Sequence, residues 1–149
     1  MRAVLQRVSE ATVEVGDETI ARIGAGVLAL VAVGGGDTAE DAVKLARKIV
    51  QLRVFNDDDG RMNLSLLETG GSLAVVSQFT LFGDSRNGRR PFYGDAARPE
   101  SAAPLLERVV DEARRLGCEV VTGRFQAEMR VSLVNEGPVT LLLDTRNTF

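Results

Sequence analysis

Leu-Ala-Val-Val-Ser-Gln-Phe-Thr-Leu-Phe-Gly, residues 73–83, is the stretch that decides the fold. This run of apolar and β-branched residues lies between glycine-containing turns, a pattern that predicts a strand buried on both faces. Its second half carries three hydrogen-bonding side chains, those of Ser77, Gln78 and Thr80. A buried polar group without a partner costs on the order of 1–3 kcal/mol, so backbone, buried water or a ligand must satisfy them. Three together, beside a Gly-Asp turn, favour a strand end that faces a ligand.

Length and composition predict one domain, residues 1–149. The chain has 149 residues, 44% of them hydrophobic, which is enough for one core and too few for two ordinary domains. No apolar run approaches the ~20 residues that span a bilayer, and the first residues do not resemble a signal peptide. We therefore expect a cytoplasmic protein without membrane contact. The only cysteine, Cys118, is expected to be a packed thiol.

The absence of histidine restricts the chemistry most. It excludes Ser-His-Asp and Cys-His catalysis, and one thiol cannot build a zinc site of the usual kind. An oxygen-ligated metal could use Asn56-Asp57-Asp58-Asp59-Gly60, but aligning its glycine with a calcium loop puts Phe55 at the first ligand position. We interpret this segment as a hairpin turn and expect neither a metal nor a cofactor.

The periodicity of the rest of the chain predicts an α+β or mixed α/β fold. Its sheet is expected to be curved, barrel-like and mostly antiparallel, with two main helices covering it. Further strands are predicted at residues 2–8, 11–15, 18–23, 27–33, 119–123, 131–134 and 139–143. Apolar residues at helical spacing predict the two helices: one opens at Gly34–Ala39 and carries its pattern from Ala42 to Arg53, and the other runs from Ser101 to Leu116.

A glycine-rich segment, Gly34 to Ala39, precedes the first predicted helix and fits the permissive dinucleotide fingerprint G-x-G-x-x-[GA]. A dinucleotide-binding protein is therefore one alternative function. We prefer to interpret Asp37 and Glu40 as a capping box, because a carboxylate at the helix N-terminus competes with a pyrophosphate for the same amides.

A basic segment follows the central strand. Residues 84–99 contain Arg86, Arg89, Arg90 and Arg98 among glycines and prolines, which predicts a loop. In a chain of net charge −3, such a loop suits a phosphate-bearing ligand, although an exposed loop without function fits equally well. A non-catalytic RNA-binding module that uses this loop is the second alternative function.

Several motifs, taken together and in this order, resemble the D-aminoacyl-tRNA deacylase family. They are Ser77-Gln78-Phe79-Thr80, Gly88-Arg89-Arg90-Pro91, Gly123-x-Phe125-x-Ala127-x-Met129 and Val131-Ser132-Leu133-Val134-Asn135-x-Gly137-Pro138-Val139-Thr140. The opening residues 1–8 and Asn63-Leu64-Ser65 match as well, so the resemblance covers essentially the whole chain. Gln126, where the family often has glycine, and the Phe92-Tyr93 segment depart from the family pattern.

The resemblance implies an enzyme that hydrolyses the ester between a D-amino acid and the terminal adenosine of tRNA. Its partner would be D-aminoacyl-tRNA, with glycyl-tRNA left open, and the active site would lie at the interface of a homodimer. Ser77, Gln78, Phe79 and Thr80 would form the catalytic side of the pocket, and Phe125, Ala127 and Met129 would hold the adenosine. Gly137-Pro138, with a cis peptide bond, would enter from the other subunit and reject the L-substrate.

From the sequence alone, Arg7 is either a surface charge or a donor to backbone carbonyls. The resemblance implies that Arg7 braces the Gly-Pro loop. For Arg86, Arg89 and Arg90 we expect contacts to tRNA phosphates, which position a nucleic acid without reading the amino acid.

The missing histidine also bears on mechanism. An ester can be cleaved here by an unactivated threonine, by a carboxylate acting through water, or by a group on the substrate. The third route needs the fewest protein parts, and the vicinal hydroxyl of the terminal ribose is such a group. Backbone amides near Phe79 and Thr80 could stabilise the oxyanion by ~3–4 kcal/mol per well-placed donor. We therefore predict that the ribose hydroxyl matters more than that of Thr80.

Overall fold

Eight strands, three α-helices and one 3₁₀ helix follow one another in the computed structural model, which describes residues 1–149. The strands are β1 (Arg2–Val15), β2 (Glu18–Ile23), β3 (Gly26–Ala32), β4 (Arg53–Asn56), β5 (Met62–Ser65), β6 (Ser72–Ser77), β7 (Glu119–Thr122) and β8 (Arg130–Asp144). The helices are α1 (Ala39–Gln51), α2 (Leu66–Thr69) and α3 (Pro99–Arg115), and the 3₁₀ helix spans Phe79–Phe82. None of these helices is long and apolar enough to cross a membrane.

The strand β1 organises a mixed sheet. The sheet has the order β2-β1-β3-β6-β7, and β8 runs along β1 as well. β1 is antiparallel to β2, β3 and β8, whereas the β3–β6 and β6–β7 pairs are parallel. β8 pairs with both halves of β1, but the other neighbour changes, since residues 2–8 pair with β3 and residues 11–15 with β2. The result confirms the predicted barrel-like α+β fold, with a sheet that is nearly closed.

The core forms two clusters on opposite faces of this sheet. The larger contains 21 buried residues and lies between the sheet and the helices α1 and α3. The smaller contains 8 and lies on the other face, among β1, β2, β3 and β6. Successive residues of a strand point to opposite faces, so Val27 and Ala29 join the larger cluster while Leu28 joins the smaller. The central strands are therefore buried on both faces, as their apolar sequences predict.

The start of α1 corrects one prediction. The capping box consists of Thr38 and Asp41, not Asp37 and Glu40: the Thr38 amide donates to Asp41 Oδ2 at 2.9 Å, and Thr38 Oγ1 accepts from the Asp41 amide. Asp37 turns inward instead. Its Oδ2 accepts from the Gly34 amide at 2.6 Å and lies 2.9 Å from the buried α-ammonium of Met1. The sequence could not reveal a partner so distant along the chain.

Several element bounds differ from the sequence predictions. The first helix ends at Gln51 rather than Arg53, and residues 2–8 and 11–15 belong to one strand, as do residues 131–134 and 139–143. The hairpin turn at Asn56–Gly60 is confirmed between the antiparallel strands β4 and β5. Cys118 is buried, and burial raises the pKa of its thiol, as expected of a packed cysteine.

Candidate active site

The central strand ends earlier than its apolar sequence predicts. β6 stops at Ser77, the Gln78 amide donates to the Val31 carbonyl at 2.8 Å, and the chain then turns into the 3₁₀ helix. Ser77 and Gln78 are consequently half-buried and Thr80 is exposed. Gln78 Nε2 donates to Thr80 Oγ1, so these two polar groups satisfy each other. The prediction of a strand through Gly83 is therefore wrong.

The 3₁₀ helix presents unpaired backbone donors at its start. Two hydrogen bonds close its turns: the Leu81 amide donates to the Gln78 carbonyl at 3.1 Å, and the Gly83 amide donates to the Thr80 carbonyl at 2.9 Å. The first amides of a helix have no carbonyl one turn earlier to bond. The amides of Phe79 and Thr80 occupy that position and remain available to an anionic oxygen.

A cavity of about 690 Å³ lies at this strand end and brings together two of the predicted groups. Ser77, Gln78 and Phe79 line it from one side, and Phe125, Ala127 and Met129 line it from the other. Thr80 does not line it. Most of the remaining wall is apolar and comes from the end of β3, the start of α3 and the segment between Tyr93 and Pro99.

The parallel pairing of β6 and β7 explains why these groups meet. Parallel strands end at the same edge of a sheet, and here Val75 pairs with Thr122. The Gly123 amide then donates to the Val75 carbonyl at 3.0 Å, which holds the segment carrying Phe125 beside Ser77. A Cβ at position 123 would lie only 2.7 Å from Met129 Sδ, so a larger residue there would displace the Met129 side chain.

Two residues at this site were missed by the sequence reasoning. The Tyr93 ring packs edge-on against Phe79, with ring centroids 5.3 Å apart, and forms part of the cavity wall. Arg2 supports the 3₁₀ helix from outside: its guanidinium lies 4.5 Å from the centre of the Phe82 ring and donates to the Leu81 carbonyl at 3.1 Å. Tyr93, the only tyrosine, was visible in the segment that departs from the family pattern. Arg2 gave no such signal.

A second structural feature is the loop of residues 135–139, which we call the Gly-Pro loop. It interrupts the pairing of β8 with β1, because Gln6 pairs with Thr140 whereas Val8 pairs with Asn135. The Asn135 side chain closes the loop by accepting from the Val139 amide and donating to Thr140 Oγ1, each at 2.8 Å. The Gly137-Pro138 peptide bond is cis.

Arg7 connects the Gly-Pro loop to the hairpin of β4 and β5. Its Nε donates to the Glu136 carbonyl at 2.8 Å, and its Nη1 donates to the Val54 carbonyl at 2.7 Å. The loop packs tightly on this side chain. Gly137 has a φ of +136°, and a Cβ there would lie 2.9 Å from Arg7 Nη2.

Within one chain the Gly-Pro loop and the cavity are separate. Val131 lines the cavity, and Gly137 follows it by six positions along β8, roughly 20 Å in an extended strand. Gly137 and Pro138 are exposed, and neither lines the cavity. The structure therefore brings Arg7 to the loop and the Ser77 segment to Phe125, but it does not bring these two groups together.

The basic loop lies outside the cavity as well. Arg86 is held by Asp84, with Nη2 2.6 Å from Oδ2, and the guanidinium of Arg86 keeps the pKa of the Asp84 carboxyl well below its usual range. Arg89 and Arg90 are exposed and form no ion pair, which leaves them the more available cations. No three His, Cys, Asp or Glu side chains cluster as a metal site would require.

The fold and the site define a class: a single barrel-like domain with an apolar cavity and free backbone donors where two parallel strands end. Residues 4–144 match the family model for D-Tyr-tRNA(Tyr) deacylase. The D-aminoacyl-tRNA deacylase of Roseiflexus sp. (strain RS-1) is 58% identical over 97% of this chain and 94% of its own, and that of Desulforudis audaxviator (strain MP104C) is 54% identical over 100% of both.

Solved structures share the fold of this chain. One described as c-Myc DNA unwinding element binding protein superposes with a TM-score of 0.92 at 35% identity, over 97% of this chain and 98% of that one. A probable eukaryotic D-amino acid tRNA deacylase shares the fold, with a TM-score of 0.80 at 18% identity over 95% and 97% of the two chains. The chain belongs to the D-aminoacyl-tRNA deacylase family, as its motifs predict. It is thus an enzyme, a hydrolase of aminoacyl-tRNA.

Proposed function

We propose that the chain hydrolyses the ester between a D-amino acid and the terminal adenosine of tRNA in the cytoplasm, as a homodimer. The Gly-Pro loop of each subunit completes the cavity of the other. The observation that carries the proposal is the braced, exposed loop, which lies far from the cavity of its own chain. Both features belong to the family motifs, and a two-fold axis is the simplest operation that joins them.

The chemistry uses the substrate's own hydroxyl. Thr80 is a poor nucleophile here, because its hydroxyl accepts from Gln78 and no histidine is available to activate it. The attacking nucleophile is instead a water molecule, which the vicinal ribose hydroxyl orients and whose proton it relays. The Phe79 and Thr80 amides stabilise the oxyanion, the ester C–O bond breaks, and the proton passes to the departing ribose oxygen. Free D-amino acid and tRNA are the products.

Positioning supplies much of the remaining rate. Phe125, Ala127 and Met129 hold the adenosine, and Ser77 and Gln78 face the aminoacyl group across the cavity. Arg89 and Arg90, with Arg86 in a lesser role because Asp84 holds it, contact tRNA phosphates.

Chiral selection works by exclusion. The carbonyl oxygens of the inserted loop accept the amino group of the D-substrate and collide with the side chain of an L-substrate. Because the loop excludes the L-enantiomer without recognising the D side chain, a single site tolerates many amino acids.

The chemistry is tested with a terminal 2′-deoxyadenosine. The D-aminoacyl ester of such a tRNA should be cleaved poorly, while Thr80→Ala should keep much of the activity on the natural substrate. A folded but inactive Thr80→Ala variant, together with a trapped acyl-enzyme, would establish covalent catalysis instead.

The insertion of the loop in trans is tested by mixing two inactive variants. Ala127→Trp fills the cavity and leaves the loop intact, while Gly137→Ala disrupts the loop and leaves the cavity intact. Unfolding and refolding an equimolar mixture gives heterodimers with one intact site, so activity should return to about a quarter of wild type. Refolded separately, each variant should stay inactive. No recovery in a mixture shown to contain heterodimers would refute the shared site.

The two alternative functions make different predictions. A non-catalytic RNA-binding module would bind tRNA in a salt-sensitive way and leave the ester intact. A dinucleotide-binding protein would be stabilised by NAD in a thermal-shift assay. The carboxylate of Asp37 bonded to the Gly34 amide argues against the latter, because it occupies a donor that a pyrophosphate would need.

A further inference from the structure

A second cavity opens beside the first and takes no part in the proposed chemistry. It has a volume of about 530 Å³ and lies between α3 and the segment of residues 122–125. The two cavities share Ser77, Leu106 and Phe125 as lining residues, so they are neighbours along one surface. We call the second one the α3 groove. The exposed ring of Phe125 lies at the boundary between them.

The lining of the α3 groove differs from that of the first cavity. Its floor is apolar and includes Val75 and Val110, which are buried. Four charged side chains surround this floor: Glu107, Asp111 and Arg114 from α3, and Arg124 from the segment before Phe125. An apolar floor with both signs of charge around it suits a flat ring that carries polar groups and a nearby phosphate.

Arg124 is a cation with a weak partner. Its Nη2 lies 3.6 Å from the carboxylate of Glu18, and the two side chains are 52% and 69% exposed. An exposed pair of this kind contributes little to stability, so a phosphate can replace Glu18 at little cost. Arg114, in contrast, is fixed by a 3.0 Å hydrogen bond from its Nη2 to the Val120 carbonyl.

Glu107 and Asp111 form an unfavourable pair. They are four positions apart on α3, and both line the groove. Like charges at this spacing repel each other and destabilise a helix. Neither carboxylate forms an ion pair, in contrast to Glu112 of the same helix, which contacts Arg47 and Arg115. Carboxylates accept hydrogen bonds from the exocyclic amino group of cytosine.

We propose that the α3 groove binds the penultimate nucleotide of the tRNA, a cytidine. The phosphate that joins it to the terminal adenosine contacts Arg124, and the base lies on the apolar floor with its amino group toward Glu107 and Asp111. The inference rests on the proposed function, because it requires the adenosine to lie against Phe125. From there the α3 groove is the adjoining space into which the next nucleotide can extend.

The test compares substrates of increasing length with the full-length enzyme. D-tyrosyl-adenosine lacks the penultimate nucleotide and its phosphate, whereas D-tyrosyl-CpA contains both. Arg124→Gln should raise KM for D-tyrosyl-CpA about tenfold and leave the cleavage of D-tyrosyl-adenosine unchanged. Arg130→Gln, which removes an exposed arginine of β8 from its pair with Glu14, is the matched control and should change neither.

The base contact is tested by replacing cytidine with uridine, which has no exocyclic amino group. The wild type should cleave D-tyrosyl-CpA several-fold better than D-tyrosyl-UpA, and the double variant Glu107→Gln/Asp111→Asn should lose this preference. If Arg124→Gln lost cleavage of D-tyrosyl-adenosine and D-tyrosyl-CpA equally, or lost neither, the inference would be overturned. Failure of the wild type to cleave any D-tyrosyl ester would contradict the proposed function itself.

Discussion

Arg7 Nε donates a 2.8 Å hydrogen bond to the backbone carbonyl of Glu136. This bond connects β1 to the Gly-Pro loop, which we propose selects the D-enantiomer of the substrate. The same guanidinium bonds the Val54 carbonyl at 2.7 Å and reaches Asn56 Oδ1 at 3.3 Å. One side chain therefore holds two segments in fixed relation to β1. The planar fork of arginine makes this possible, and a lysine ammonium cannot reproduce it.

Arg7→Lys should lower kcat/KM for D-tyrosyl-tRNA at least about tenfold, because a lost charged hydrogen bond is worth ~1.5–3 kcal/mol and the loop would shift. Arg22→Lys, an exposed position on β2, is the matched control and should have no effect. The assay is steady-state deacylation, with circular dichroism to verify folding. Wild-type activity in Arg7→Lys would show that the brace does not serve catalysis.

Gly137→Ala should abolish most activity while the sheet stays folded. The added Cβ would lie 2.8 Å from Val139 Cγ2 and 2.9 Å from Arg7 Nη2, at a φ of +136° that L side chains rarely adopt. Gly24→Ala is the control, since a Cβ there meets nothing within 4 Å. Deacylation rates and thermal melts of both variants provide the measurement, and an active Gly137→Ala enzyme would contradict the role given to the loop.

Arg2→Lys should lower kcat about tenfold and leave KM nearly unchanged, an effect of ~1.4 kcal/mol on the transition state. Lysine retains the charge that faces Asp144 but loses the contact with Phe82 and the bond to the Leu81 carbonyl. The 3₁₀ helix would then hold the amides of Phe79 and Thr80 less firmly, which affects the oxyanion more than the bound ester. A rise in KM alone would instead indicate a role in binding.

Glu112 predicts how stability depends on pH. It is 1% exposed, and hydrogen bonds first from Arg115 and then from Arg47 lower its pKa to about 2. In the unfolded chain the carboxyl regains a pKa of about 4.3, so the stabilisation is complete above that pH and disappears as the pH falls toward 2. In urea unfolding, Glu112→Gln should be less stable than the wild type at neutral pH, and the difference should shrink in acid. A difference that is constant with pH would reject this assignment.

The sequence predicts those parts of the molecule that depend on local pattern. The buried strand β3, the amphipathic helix α3 and the turn at Asn56–Gly60 follow from periodicity and turn chemistry, and the motifs locate Ser77–Phe79 and Phe125. The end of β6 is different, because Phe79-Thr80-Leu81-Phe82 is as apolar and β-branched as a strand. Only the hydrogen bonds of Gln78 and Leu81 show that the chain leaves the sheet there.

Contacts between distant parts of the chain could not be predicted. Asp37 looks like a helix cap until the buried ammonium of Met1 is placed 2.9 Å away. Arg2 looks like a surface charge until Phe82, 80 positions later, lies beneath it. Such pairs depend on how the sheet closes, which no local pattern of residues specifies.

The most direct test of the account is incubation of the enzyme with D-tyrosyl-tRNA and L-tyrosyl-tRNA in parallel, with the released tyrosine measured over time. The tRNA is the same in both substrates, so only the hand of the amino acid differs. We expect the D-ester to be cleaved and the L-ester to be spared. Equal hydrolysis of the two esters, or hydrolysis of neither, would contradict the proposed function.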